Sequence, residues 1–341
     1  MAVTIKDVAR EAGVSTATVS RVINNDARIT VETRLRVLEA IAKLNYTVNS
    51  IARSLKSNRT HTVGFLTPEI ANDFFMTVAQ GVEDELRAAG YNMIICNTNE
   101  SVEQETERLN LLIQKNIDGV IIVPAGGSGK HFRLLAELKL PTVLVDRLTP
   151  DFVSDAVLSD NSNGVYLAVH HLIKRGFTHF GFIGGRMDLT PAKERYDGFC
   201  AALREFSLEP DERYIRFGDM HVDSGYRAMS ELMELPDRPA CIFIANYYMN
   251  VGATKYVVER KIDRDELFLA SFDEMLLSSV LDIPSLTIEQ PIVTIGREAA
   301  KLLLHRIPAA RAPDSEELPF PTIKRLPTRL VFHEKQYLPT R

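Results

Sequence analysis

Cysteine is scarce in this chain, with three in 341 residues. Cys96, Cys200 and Cys241 stand far apart and show no metal-ligand spacing. That excludes a disulfide-stapled scaffold or a zinc module, and they read as buried thiols in a reducing compartment. No stretch approaches the roughly 20 apolar residues of a membrane span. Lys6, Asp7, Arg10 and Glu11 break up the opening, so no signal peptide and a cytoplasmic location are expected. Catalytic constellations are also missing. Ala125-Gly126-Gly127-Ser128-Gly129-Lys130-His131 looks like a phosphate loop, but Pro124 stands where glycine is needed and His131 where serine or threonine is needed. It reads as a flexible strand-to-helix loop. Gly184-Gly185 lacks the remaining glycines of a dinucleotide fingerprint. His170 and His171 are adjacent and diverge on a helix, which is poor geometry for one metal. With no nucleophile–base pair, no enzymatic activity, cofactor or metal is expected.

What is present is ordinary in bulk and uneven in distribution. The hydrophobic fraction is 45% and the charged fraction 25%, as in globular proteins, and the length suits two or three domains. The net charge of −5 hides a contrast. Residues 1–60 hold ten Lys and Arg against five Asp and Glu, a balance of +5, which leaves −10 for the remainder. A basic front on an acidic body implies contact with a polyanion through one end. In that front, Ile5, Val8, Ala9 and Ala12 follow the i, i+3, i+4, i+7 rule of an amphipathic helix. Gly13 ends it, and Ser15 offers an N-cap hydroxyl for a second helix. There Val19, Val22 and Ile23 make one face. Thr16, Ala17, Ser20, Arg21 and Asn24 make another, short enough to let a backbone approach base edges in a major groove.

The run Val14-Ser15-Thr16-Ala17-Thr18-Val19-Ser20-Arg21-Val22-Ile23-Asn24 resembles the recognition segment of the lac repressor (LacI/GalR) family of bacterial transcription regulators. The resemblance continues through a third helix at about 31–44, capped by Thr30, and through Asn45-Tyr46 and 49–55. It implies a palindrome-reading homodimer on double-stranded operator DNA, placed on the nucleoid. Thr16, Ala17 and Arg21 are the expected base readers; Arg21 fits either a guanine edge or a phosphate. Ser15, Thr18, Ser20 and Asn24 are expected on phosphates, with helix packing an equal alternative for Thr18. Arg28, Thr4 and Tyr46 complete the headpiece contacts. Asn49, Ala52, Arg53, Leu55 and Lys56 belong to a hinge that folds on DNA, where Leu55 is expected to wedge into the minor groove. Val48 departs from the proline common before that hinge.

Beyond residue 60, strands and helices alternate. Strands are expected at 62–66, 92–96, 119–123 and 142–145, with helices at 74–89 and 102–115 between them. A second series follows: helices at 161–175 and 192–206, and strands at 180–183, 214–217, 240–245 and 267–272. The expected fold is an all-α helix-turn-helix headpiece plus an α/β core of two doubly wound parallel-sheet lobes in sequence, like that of periplasmic binding proteins. The domains read as 1–48, a hinge at 49–60, and a two-lobed core at 61–341. Turns at Asp160-Asn161, 195–199, Phe272-Asp273 and 287–291 fall at the family's landmarks.

The resemblance also implies a small-molecule effector, a sugar or sugar derivative, in the cleft between lobes. Arg195 fits a ligand-clamping arginine and Asp273 a carboxylate for hydroxyls. Phe74 and Phe75 are aromatic candidates, and Asn161, Asn246, Tyr247 and Gln290 are candidate partners. Tyr247 stands where the family usually carries an acid after that asparagine, which leaves room for a non-sugar ligand or a protein corepressor. A plain carbohydrate-binding protein is the remaining alternative. Leu276, Leu277, Val280 and Leu281 form an apolar run where the family builds part of its dimer interface, with core packing an equal alternative. The tail after Phe332 has no leucine heptads, so a dimer is expected and not a tetramer.

Overall fold

The computed structural model describes residues 3–23, 26–46, 59–263, 266–273, 285–309 and 320–333. The chain divides into two compact units, Met1–Thr60 and His61–Arg341. Asn24, the hinge candidates Asn49, Ala52, Arg53, Leu55 and Lys56, and the apolar run at 276–281 lie outside the described residues.

The first unit contains α1 (Ile5–Glu11), α2 (Thr16–Ile23) and α3 (Val31–Lys43). The Asp7 carboxylate closes the start of α1 by accepting from the Thr4 amide at 3.0 Å and the Thr4 hydroxyl at 2.7 Å. Gly13 carries φ +65° in the turn between α1 and α2. That left-handed conformation is nearly free for glycine and costly for most other residues. Ser15 Oγ then accepts from the Thr18 amide at 3.1 Å, which satisfies an orphan donor of α2. Val8, Ala9, Ala12, Val19, Val22, Val37 and Ala40 close the core of this unit.

The second unit holds two sheets. The first, in the order β11-β5-β4-β3-β1-β2, is built from β1 (Thr62–Thr67), β2 (Asn92–Asn97), β3 (Gly119–Ile122), β4 (Thr142–Val145), β5 (Asp155–Ser159) and β11 (Ile323–Leu326). The second, in the order β12-β10-β9-β8-β6-β7, is built from β6 (Phe180–Gly184), β7 (Ile215–Phe217), β8 (Cys241–Ile244), β9 (Phe268–Phe272), β10 (Ser285–Glu289) and β12 (Arg329–His333). Every pairing is parallel except β10 with β12. Strands β3, β4, β6, β8 and β9 are buried along their whole length. That is why they read as unbroken apolar runs.

The first sheet is flanked by α4 (Asp73–Ala88), α5 (Val102–Gln114), α6 (Arg133–Glu137) and α11 (Ile292–Ala309). The second is flanked by α7 (Asn161–Lys174), α8 (Thr190–Glu205), α9 (Val222–Met233) and α10 (Tyr247–Glu259). Gly81 and Gly296 let α4 and α11 touch backbone to backbone. A Cβ on Gly81 would sit 2.3 Å from the Val293 carbonyl oxygen, and one on Gly296 would sit 2.1 Å from that of Val78. Among the described residues no helix is long and apolar enough to cross a membrane.

Two sequence expectations are corrected here. The lobes are not simply consecutive, because the chain crosses between sheets after β5, after β10 and after β11. Helix α11 and strand β11 therefore return to the first lobe. The landmark turns are also partly regular structure: 195–199 lies inside α8 and 287–289 inside β10. The helix expected at 192–206 already contains 195–199, whereas β10 mixes Ser285, Thr287 and Glu289 with two apolar residues and is not among the expected strands.

Candidate DNA interface and ligand cleft

In the headpiece, Ser15, Thr16, Ala17 and Arg21 are exposed on the start and outer face of α2. Arg21 makes no ion pair among the described residues. Thr18 is half-buried, and its hydroxyl shares a 2.9 Å hydrogen bond with Ser15. Ser20 is half-buried, and Tyr46 packs against the headpiece core. Thr4 is exposed, but its hydroxyl is engaged by Asp7. Arg28 is held by Asp26 through Nε at 3.0 Å and Nη2 at 2.8 Å. That pairing pulls the Asp26 carboxyl down to about 2. Any phosphate meeting Arg28 therefore competes with a carboxylate already in place.

In the second unit, the ends of the strands open on a cavity of about 960 Å³ between the two lobes. Its lining includes seven of the eight effector candidates: Phe74, Phe75, Arg195, Asn246, Tyr247, Asp273 and Gln290. Asn161 is the exception. It is fully buried, and its Oδ1 accepts from Arg195 Nε at 2.9 Å while its Nδ2 donates to Glu194 at 3.0 Å. Asn161 orients the arginine and does not reach the cavity, because its place at the first turn of α7 points it at α8.

Arg195 is held from several sides. Its Nη1 donates to the Ala245 carbonyl at 2.7 Å, and its guanidinium lies 3.6 Å over the Phe272 ring. That arrangement fixes the guanidinium plane before any ligand arrives. Asp273 follows β9 with φ +71°, and its carboxylate accepts from Gln290 Nε2 at 2.5 Å. The other end of the Gln290 amide accepts from Ser159 Oγ at 2.5 Å. One side chain at a crossing thus ties the end of β5 to the Asp273 carboxylate.

The sequence reading missed a second pair. Asp146 follows β4 with φ +65°, beside Arg147, and both side chains line the cavity. Arg147 Nε is buried without a hydrogen-bond partner, 3.7 Å from the Asp146 carboxylate. The Arg147 Nη atoms grip Glu100 at 2.9 and 3.0 Å, and the guanidinium lies 5.7 Å over the Phe75 ring. The signal was available, since ligands of doubly wound sheets bind beyond the carboxyl ends of strands. Asp146-Arg147 directly follows an expected strand, as Asp273 does. Glu100, Arg186 and Tyr248 also line the cavity and carried no such signal.

Burial pushes the carboxyls of Asp273 and Asp146 above the ordinary carboxylate range, with neighbouring arginines opposing. The folded state then binds these protons more tightly than the unfolded chain does. Their favourable contribution is present at acid pH and lost as pH rises through the raised values. Ionising Asp273 in the folded state therefore costs stability. Asp273→Asn is therefore expected to raise the melting temperature of the ligand-free protein at pH 7 by about 2–4 °C, flatten its decline with pH, and abolish the ligand-induced shift. Calorimetric scans across pH check this, and a lowered melting point at pH 7 contradicts it.

A helix-turn-helix headpiece joined to a two-lobed core with a polar, aromatic cleft defines a DNA-binding module coupled to a small-molecule-binding body. Known proteins carry the same combination. The family profile described as "Bacterial regulatory proteins, lacI family" matches residues 4–49. That described as "Periplasmic binding proteins and sugar binding domain of LacI family" matches residues 60–324. The ribose operon repressor of Escherichia coli (strain K12) is 35% identical over 307 residues, covering 89% of this chain and 93% of its own. The transcriptional repressor PurR of Aliivibrio salmonicida is 34% identical over 309 residues, covering 89% and 92%. Among solved structures, the CelR–cellobiose complex is 29% identical, covering 97% of this chain and 99% of its own, with a TM-score of 0.72. The lac repressor dimer bound to operator and an anti-inducer shares the fold across the full length of both chains, with a TM-score of 0.85 at 22% identity. The chain belongs to the LacI family and is a DNA-binding transcriptional repressor of that family.

Proposed function

We propose that this repressor binds a palindromic operator as a dimer and releases or grips it according to whether a polyol, a sugar or sugar derivative, occupies the interlobe cleft. The observation that carries this reading is the placement of Asp146 and Arg147 on one lobe and of Asp273 and Arg195 on the other, around one cavity. A hydroxyl donates one hydrogen bond and accepts others, so an acceptor beside a donor suits it better than either alone. The half-buried Phe74 and buried Phe75 supply apolar surface for a ring face. A relative named a ribose operon repressor and one solved with cellobiose agree with a saccharide.

Ligand acts by favouring one lobe arrangement over the other, which changes whether the 49–60 segments fold together on DNA. Thr16, Ala17 and Arg21 read bases, with Ser15, Ser20 and Asn24 on phosphates and Leu55 as the minor-groove wedge. Selection of genomic fragments by the purified protein tests the DNA half of this reading. A two-fold symmetric consensus is expected, and enrichment without sequence preference rejects it. Arg21→Ala is expected to weaken binding to that consensus roughly 5- to 150-fold, by about 1–3 kcal/mol, if the guanidinium reads a base. Equal loss on random DNA assigns it to phosphate.

A further inference from the structure

We infer that the cleft is built to select an uncharged polyol and to reject phosphorylated and carboxylated sugars, with Glu100 as the main specificity determinant. This rests on the reading of the cleft as the effector site. Anions are held in proteins by free guanidinium groups, by glycine-rich backbone nests and by helix N-termini. Around this cavity two of the three guanidiniums among the described residues are already held by carboxylates, and the lining carries an excess of acidic groups.

Among the described residues, seven carboxylates line the cavity against three guanidiniums. Arg147 is gripped by Glu100 through both Nη atoms. Arg186 donates to the same Glu100 at 3.4 Å and is forked onto Asp188 at 2.7 and 3.2 Å. Glu100 therefore occupies two of the three cations. Arg195 spends its Nε and Nη1 on Asn161 and Ala245.

Helices α4 and α10, which begin at the cleft, are capped by side chains, while α8 and α9 begin there without a side-chain cap. Asn72 Oδ1 accepts from the Phe74 amide at 3.0 Å, and Asp73 adds negative charge to the first turn of α4. Proline at position 191 removes an amide donor from the first turn of α8. Asn246 Oδ1 accepts from the Met249 amide at 3.0 Å at the start of α10. Pro291 precedes α11 and brings no N–H. The glycine-rich loop after β3 stands outside the cavity lining, and two of its amides are taken. The Ala125 amide donates to the buried Glu105 at 2.9 Å, the Lys130 amide donates to Ser128 Oγ at 3.3 Å, and the Lys130 ammonium lies 3.9 Å from Asp151. A phosphate or carboxylate entering here meets an excess of like charge, with Arg195 alone among the lining guanidiniums bonded only to neutral groups. A neutral hydroxyl still finds Arg147 Nε and the two aspartates.

The test is calorimetric titration of the full-length repressor. One panel is D-ribose, D-xylose, D-glucose, D-galactose and cellobiose. The other is ribose 5-phosphate, glucose 6-phosphate, galactose 6-phosphate and gluconate. A free sugar is expected to bind, with its phosphate or acid at least about 100-fold weaker, since unscreened like-charge contact costs several kcal/mol. Glu100→Gln releases Arg147 and Arg186 and is expected to narrow that ratio about tenfold, with Asp73→Asn narrowing it less. A phosphate or acid that binds as tightly as its free sugar in the unmodified protein overturns the inference and leaves the effector site standing. A ratio unmoved in both variants overturns the role of Glu100. Failure of both panels to bind overturns the effector reading itself, and the inference with it.

Discussion

Arg195→Ala is expected to weaken effector binding by at least about 100-fold and to abolish the effector's influence on operator binding, while leaving operator affinity without effector unchanged. The magnitude follows from what the side chain does. It presents a fixed guanidinium to the cavity, and hydrogen bonds to charged groups contribute about 1.5–3 kcal/mol each. Its removal also leaves Asn161 Oδ1 and the Ala245 carbonyl oxygen without their donors. The cost to folding is partly offset, because burial already disfavours the charged guanidinium and pulls its pKa below the usual value. Arg195→Lys is expected to fail almost as badly, since an ammonium cannot bond two directions in one plane or stack on Phe272. Titrations of effector and operator with both variants check this. A retained effector response in Arg195→Ala places the ligand elsewhere.

Gly296→Val is expected to produce the largest loss of stability. The new Cβ would stand 2.1 Å from the Val78 carbonyl oxygen. Backbone is the obstacle, so no rotamer change relieves it, and α4 and α11 must move apart. Overpacking at such a contact costs about 3 kcal/mol or more. For a core of this size that is roughly 6–12 °C in melting temperature. The damage reaches the cleft because α4 carries Phe74 and Phe75 on its first turn. A melting point within two degrees of the parent, with effector binding intact, contradicts the claim that this contact sets the position of α4.

Much of this architecture was legible in the chain, for identifiable reasons. The helix-turn-helix announces itself through Gly13, Ser15 and a tight apolar period, all local signals. The strands buried on both faces stand out as short apolar runs between glycines and charges. What escaped was non-local. Strand β5 begins at Asp155, a charged residue that marks no strand, yet its carboxylate is buried against Arg306 of α11. The return of α11 and β11 to the first lobe depends on distant packing partners, 218 residues apart for Gly296 and Val78 and 167 for Ile323 and Ala156. In the cleft, Arg195 and Asp273 were found through a family motif, and Asp146-Arg147 required the strand-end rule. Glu100 needed the fold itself, since its role comes from two arginines 47 and 86 residues along the chain.

The account's central claim is that occupancy of the cleft and grip on DNA are one linked equilibrium. Fluorescence anisotropy on the selected operator, at fixed salt, with and without a saturating free sugar that binds the cleft, tests it most directly. The operator dissociation constant is predicted to shift roughly 5- to 150-fold in one direction, with sugar affinity shifting by the same factor when operator is saturating. An operator affinity unchanged within twofold while the cleft is demonstrably full would contradict it.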